Sequence, residues 1–325
     1  MSAGFKSKIH TSLFILLGFL AGSLAVTVYY HNQDVAGSDC IKKYALTSAS
    51  LDCASYEDSA SRLRSLDHTL DDASTLYVKE GKATRVSVWV RDLSANQWAA
   101  SNETERYAPA SLLKLPLMVA YYKVAEIQPT ILDTPITYVR SPLLNDSSQD
   151  FVPDKPLVEG QSYTVNELIK HMITESDNNA AALLLGHIDP SIFENTLIDL
   201  GIKIPSKMNG YDFVTVKSYA NIFRTLYNAS YLTRDSSEKA LELLASSSFK
   251  GIADPLPAGT VVAHKFGERE VDNPDGTPQT RELHDCGIVY KDSRPYSLCI
   301  MTEGKDFNDL LSILRDVSKI VYAQL

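Results

Sequence analysis

Ser111 and Lys114 stand three residues apart in the run Pro109-Ala-Ser-Leu-Leu-Lys-Leu-Pro116. Residues at that spacing share one face of a helix, so the lysine amine can reach the serine oxygen. A serine hydroxyl is a weak nucleophile until a base takes its proton. The tetrad therefore reads as a nucleophile carrying its own base. Pro109 and Ser111 mark a helix start, which places the positive end of a helix dipole under Ser111 and favours an incipient alkoxide. Lys114 has to be at least partly neutral to accept a proton, and burial or a neighbouring cation pushes an amine that way. Two later clusters hold matching chemistry. Ser176-Asp177-Asn178 falls between two helical stretches, and His264-Lys265-Phe266-Gly267-Glu268 ends a strand-like run. Each has a plainer reading as well: Ser111 as a helix cap, Ser176-Asp177-Asn178 as a turn and cap, Lys265 as a strand-end charge, His264 as a structural side chain.

These residues need a scaffold, and hydrophobic periodicity supplies one. Residues 84–93 alternate Val86, Val88 and Val90 with Arg85, Ser87 and Trp89, a strand pattern. Residues 94–96 form a turn and 97–100 a return strand. A helix follows from Pro109 through Tyr121. Further helices are predicted over 164–172, 179–187, 192–200, 214–226 and 236–246. Strands are predicted at 260–265, 284–290 and 296–301, and an amphipathic helix over 307–325 closes the chain. Strands at both ends of the sequence must share one sheet, since neither group buries itself alone. The expected fold is an α/β (α+β) sandwich: an antiparallel sheet flanked by helices, with a helical lobe beside it.

Composition narrows the function. The 325 residues are 44% hydrophobic and 22% charged, with a formal net charge of -9. That acidity, without a Lys/Arg stripe, argues against nucleic-acid binding. No phosphate-loop, dinucleotide, Cys-x-x-Cys or His-Glu-x-x-His motif occurs, so neither a cofactor nor a metal is expected.

The amino-terminal region reads as an address and a tether. Residues 9–33 hold no Lys, Arg, Asp or Glu, and 13–30 are nearly all apolar. That is close to the ~17–25 residues a membrane-spanning helix needs. Lys6 and Lys8 precede the run, while Asp34 and Asp39 follow it, which keeps the amino terminus in the cytoplasm and exports the rest. The expected order is a cytoplasmic tail (1–8), a transmembrane signal-anchor (9–30), a Ser-, Asp- and Ala-rich stalk (31–80) with a helix-like patch over 61–70, and a catalytic domain (81–325). The predicted location is a cell membrane, single-pass, with the catalytic domain extracytoplasmic. A cleaved signal peptide is the rival reading. Export permits disulfides. Cys40 and Cys53 form one local pair of candidates. Cys286 and Cys299 form another, because pairing the last two strands as a hairpin sets them opposite each other. Two buried free thiols are the alternative.

The order Ser-x-x-Lys, Ser-Asp-Asn, Lys-x-Gly resembles the motif set of class A β-lactamases and penicillin-binding proteins. The resemblance covers roughly residues 81–325. It implies that Ser111 is acylated, with Lys114 as its base. It implies that Ser176 relays a proton to the leaving nitrogen and Asn178 binds the substrate's side-chain amide. Lys265, in its Lys-Phe-Gly267 motif, adds positive charge for the substrate carboxylate. The backbone N–H groups of Ser111 and Glu268 form the oxyanion hole, and Arg269 is a candidate carboxylate binder, with a plain surface charge as the alternative. The implied substrate is a β-lactam or a peptidoglycan peptide.

The chain departs from that pattern twice. Phe266 stands where the family has Thr or Ser, removing a hydroxyl that helps hold the substrate carboxylate. No Glu-x-x-Leu-Asn occurs between the second and third motifs, and the segment after Leu200 runs through Met208-Asn-Gly almost directly into the next helix. That glutamate activates the deacylating water in family β-lactamases. Asp212 is the one acid near the shortened loop. Acylation thus reads as intact and fast deacylation as doubtful. The leading expectation is a β-lactamase-type serine hydrolase. A D,D-peptidase acting on stem peptides, or a sensor that holds its acyl group, are the alternatives.

Overall fold

The computed structural model describes residues 44–48, 61–140, 150–205, 212–292 and 294–325. The expected anchor at 9–30, and Cys40 and Cys53, lie outside them. No helix among the described residues is long and apolar enough to cross a membrane.

Six strands form one sheet: β1 (Ser61–Arg62), β2 (Arg85–Asp92), β3 (Gln97–Ser101), β6 (Val261–Asp272), β7 (Pro278–Tyr290) and β8 (Tyr296–Gly304), in the order β1-β3-β2-β8-β7-β6. All neighbours are antiparallel except β1 and β3. The early strands β2 and β3 join the late strands through the β2–β8 pairing, as the burial argument requires. A small second sheet pairs β4 (Pro135–Thr137) with β5 (Ser162–Thr164). Eight helices complete the described fold: α1 (Arg64–Lys79), α2 (Lys114–Ala125), α3 (Val165–Thr174), α4 (Asn178–His187), α5 (Pro190–Asp199), α6 (Val216–Tyr227), α7 (Arg234–Ala245) and α8 (Phe307–Gln324). The observed architecture is the expected sandwich with a helical lobe.

Two cores hold the layers together. On one face α1 and α8 bury Leu66, Leu70, Leu310, Leu314 and Val317 against Val86, Val88, Leu298 and Ile300. On the other face the helical lobe packs Tyr219, Phe223 and Met118 toward Trp89, Ile288 and Met301. This explains why β2 is buried along both faces: Ser87 and Trp89 face the lobe instead of water. The late strands run well past the expected 260–265 and 284–290, because β6 and β7 continue as one long hairpin.

The folded unit begins before residue 81, and this moves the expected stalk boundary. Leu66, Leu70, Ser74 and Tyr77 recur at helical spacing and face the sheet. Burying a Leu or Tyr of this kind stabilises by roughly 1.5–3 kcal/mol. Asp67, buried in the same helix, accepts the Ala100 amide at 2.8 Å and pairs with Arg62. Residues 44–48 dock too: the Leu46 and Thr47 amides donate to Glu238, and the Ser48 amide donates to the Tyr227 carbonyl. A Ser- and Asp-rich composition suggested solvent here, but the apolar residues lie on one stripe.

A disulfide joins Cys286 to Cys299, which sit opposite each other in the β7–β8 register.

Candidate active site

The nucleophile turn is built from the backbone outward. Ala110–Leu113 is a 3-10 turn that runs straight into α2. The expected helix therefore starts as a tighter coil. Three residues per turn bring positions i and i+3 into register, and Lys114 Nζ lies 2.9 Å from Ser111 Oγ. Ala110 holds a left-handed φ of 48°, a conformation that costs an alanine roughly 1–2 kcal/mol and persists only where the surroundings impose it. Those surroundings are visible. His284 Nε2–H donates to the Ala108 carbonyl at 3.1 Å, Tyr219 O–H donates to the Leu112 carbonyl at 2.8 Å, and the Leu112 amide closes on Pro109. Gly267 lies so close to the turn that an added Cβ would sit 2.9 Å from the Leu112 side chain and 3.1 Å from the Pro109 carbonyl oxygen. Strand β6 can press on the nucleophile turn only because that position is glycine.

The second cluster sits between α3 and α4. Asp177 caps α4, its carboxylate accepting the Asn179 and Ala180 amides. The plain capping role thus belongs to Asp177, leaving its neighbours to face the nucleophile. Ser176 is fully buried with a left-handed φ of 55°. Its hydroxyl accepts from Lys114 Nζ at 3.1 Å and from Lys265 Nζ at 2.9 Å. Lys114 Nζ also reaches the Ser176 carbonyl at 2.5 Å and Asn178 Oδ1 at 2.7 Å. Four oxygens surround one amine. A neutral amine can donate to two of them and still accept the Ser111 proton on its lone pair. Burial pushes Lys114 down to about 7, so at neutral pH a substantial share carries that lone pair.

Lys265, on β6, is completely buried, and burial followed by the nearby Lys114 charge holds it well below the usual lysine range. It donates to the Phe266 carbonyl and lies 4.2 Å from the centre of the Phe266 ring. Phe266 itself stacks on Phe249 at 4.1 Å between centroids. The aromatic that replaces a hydroxyl is thus a core side chain. Glu268 accepts the Asp150 and Phe151 amides at 3.1–3.3 Å, and burial lifts its carboxyl to about 7.

Ser111, Lys114, Ser176, Asn178, Lys265, Gly267 and Glu268 come together. Arg269 does not join them. It pairs with Glu282, its cross-strand neighbour, at 3.1 Å and lies 3.9 Å from Asp212. Asp212 likewise meets Arg85 at 3.2 Å. Asp212, Glu282 and Glu303 bring carboxylate oxygens within 4.8 Å of one another, and Arg85 and Arg269 pair with them, offsetting part of their charge. His264 faces Asp285 at 2.8 Å in the interior. The supporting contacts of His284, Tyr219 and Glu282 escape sequence reading, because each depends on long-range packing.

The model of the Beta-lactamase enzyme family (Beta-lactamase2) matches residues 69–325. Among solved structures, a mutant of PBP-A described as an acyl-enzyme complex with penicillin G is 18% identical, with a TM-score of 0.66, covering 81% of this chain and 97% of that one. The TLA-3 extended-spectrum β-lactamase is 21% identical, with a TM-score of 0.67 and coverage of 79% and 98%. A β-lactamase from Xanthomonas campestris pv. campestris is 21% identical, with a TM-score of 0.65 and coverage of 79% and 97%. Comparison with curated proteins returned no match.

Proposed function

The chain belongs to the β-lactamase enzyme family, and from that premise we propose that it is a membrane-anchored active-site serine hydrolase, acylated on Ser111 by β-lactam or related amide substrates. The observation that carries the reading is the 2.9 Å contact between Ser111 Oγ and Lys114 Nζ, with burial holding the amine near neutrality.

In this account Lys114 takes the Ser111 proton as Oγ attacks the amide carbonyl. The amides of Ser111 and Glu268 stabilise the oxyanion, a contribution of about 3 kcal/mol for each well-placed donor. Ser176, bonded to both lysines, passes a proton to the departing nitrogen, and the C–N bond breaks to leave an ester on Ser111. Asn178 orients the substrate amide. Lys265 supplies the positive charge for a substrate carboxylate, without the hydroxyl that Phe266 has displaced. Water then has to cleave the ester.

That last step favours a second reading. Asp212 is tied to Arg85, Glu175 accepts the Asp154 amide at 3.4 Å, and residues 206–211 contain no acid. An acyl group without a base-activated water persists, which suits a penicillin-binding D,D-peptidase, or a sensor that binds and holds, better than an efficient β-lactamase. Turnover of a penicillin with a transient adduct supports β-lactamase action. A persistent adduct with D-alanine release from a stem peptide supports the peptidase, and a persistent adduct without release supports the sensor. Localisation at a membrane through residues 9–30, with the catalytic domain outside, completes the proposal. Partition of the full-length chain into the membrane fraction, against release of a chain starting at residue 44, tests it.

A further inference from the structure

The connection between β4 and β5 begins and ends in the small sheet beside α3, on the helical side of the molecule. Its residues Asp150 and Phe151 nevertheless touch β6, the strand whose Gly267 borders the Ser111 turn and whose Lys265 reaches Ser176. Both amides donate to the Glu268 carboxylate at 3.1–3.3 Å. The Phe151 ring meets Phe249, Phe266 and Phe307 edge-on, at 4.9, 5.7 and 6.3 Å between centroids. Residues 151–161 lead from this attachment, three residues past Lys265, back to β5 on the helical side past Asp177 and Asn179, and so span the cleft that holds Ser111 and Ser176. Phe266, which costs the site a hydroxyl, supplies part of the seat for Phe151. Glu268, whose amide is assigned to the oxyanion hole, supplies the polar half of the same attachment.

We propose that Glu268 and Phe151 form a clasp across the mouth of the acyl cleft, which limits the bulk of the acyl donor that reaches Ser111. The inference rests on the reading of Ser111 as the acylated nucleophile. A carboxylate that accepts two amides at once makes charge-assisted bonds, stronger than neutral ones, while the aromatic seat adds directional packing. A narrow, slender acyl donor passes under the clasp; one with a bulky amide side chain has to displace it.

Two measurements on the full-length chain test the clasp. Glu268→Gln keeps the backbone amide and the side-chain volume but weakens the charge-assisted bonds. Hydrogen exchange in the peptide covering residues 150–157 is expected to quicken by about tenfold. Phe151→Ala and the milder Phe151→Leu are expected to raise the acylation rate for a bulky penicillin severalfold more than for a small one. Unchanged exchange in Glu268→Gln, or an unchanged ratio of the two rates in both Phe151 variants, overturns the clasp. If neither penicillin acylates the wild-type chain, the serine-hydrolase reading fails, and the exchange result alone decides whether the clasp exists.

Discussion

Lys114 and Lys265 share one acceptor, the hydroxyl of Ser176, at 3.1 and 2.9 Å. Two ammonium groups on one oxygen in a buried site repel each other and are poorly solvated. Burial holds both amines below their ordinary range, Lys114 at about 7, and the Lys114 charge lowers Lys265 further. The pair therefore stores a base beside the nucleophile.

The first prediction concerns pH. Below about 7 Lys114 carries its proton and has no lone pair for the Ser111 hydroxyl; above it the amine is neutral. The acylation rate is expected to rise with pH up to about 7 and then level off. Lys114→Met should remove that rise and lower the rate by roughly 10²–10⁴-fold. Glu268, whose carboxyl also titrates near 7, is separated by Glu268→Gln, which should retain the rise. Single-turnover acylation rates between pH 5 and 9 check both variants.

A second prediction follows from α1. Leu70 is fully buried between this helix and the sheet. Leu70→Ala should lower unfolding stability by about 2–5 kcal/mol, and a chain beginning at residue 81 should fail to give a cooperative melt. If that shortened chain unfolds like one beginning at residue 44, then α1 is a dispensable appendage.

The third prediction uses His284. Burial holds its ring down at about 4, and its two nitrogens are matched to the neutral form: Nδ1 accepts the Thr302 amide while Nε2–H donates to Ala108. The unfolded chain binds a proton here near pH 6.5, where the folded chain does not. Stability therefore falls as pH drops from about 6.5 to about 4, by about 3 kcal/mol in all. His284→Leu leaves the Ala108 carbonyl unpartnered and should be less stable at neutral pH, with a flatter dependence over that window. Urea unfolding at stepped pH values measures both effects.

Fourth, the Cys286–Cys299 bond staples two central strands. Thiol counting of the denatured, unreduced protein should find both blocked. Replacing both with Ser should cost roughly 2–4 kcal/mol, with the acylation rate retained. Two reactive thiols at these positions contradict the bridge.

The parts of the site that sequence made legible are those encoded locally. Ser111 and Lys114 meet through one turn of coil, and Ser176 and Asn178 flank a capping Asp177. The opposition of Cys286 and Cys299 follows from a short hairpin. What stayed hidden depends on partners far along the chain. The pairing of Arg269 with its cross-strand neighbour Glu282 is set by the β6–β7 register, which no local pattern shows. The 61–80 segment read as a stalk because its polar residues outnumber the Leu66, Leu70 and Tyr77 stripe, which has meaning only once a sheet lies beneath it. Phe266 read as a lost hydroxyl. Its stacking on Phe249 and its contact with Phe151 come from separate parts of the fold.

Intact mass of the full-length chain over time after mixing with a penicillin tests the central claim most directly, beside Ser111→Ala. The account predicts a mass increase of one intact penicillin, located on Ser111, that decays slowly, and no increase in the variant. No adduct and no penicillin consumption by the wild type, or an identical adduct in Ser111→Ala, would contradict it.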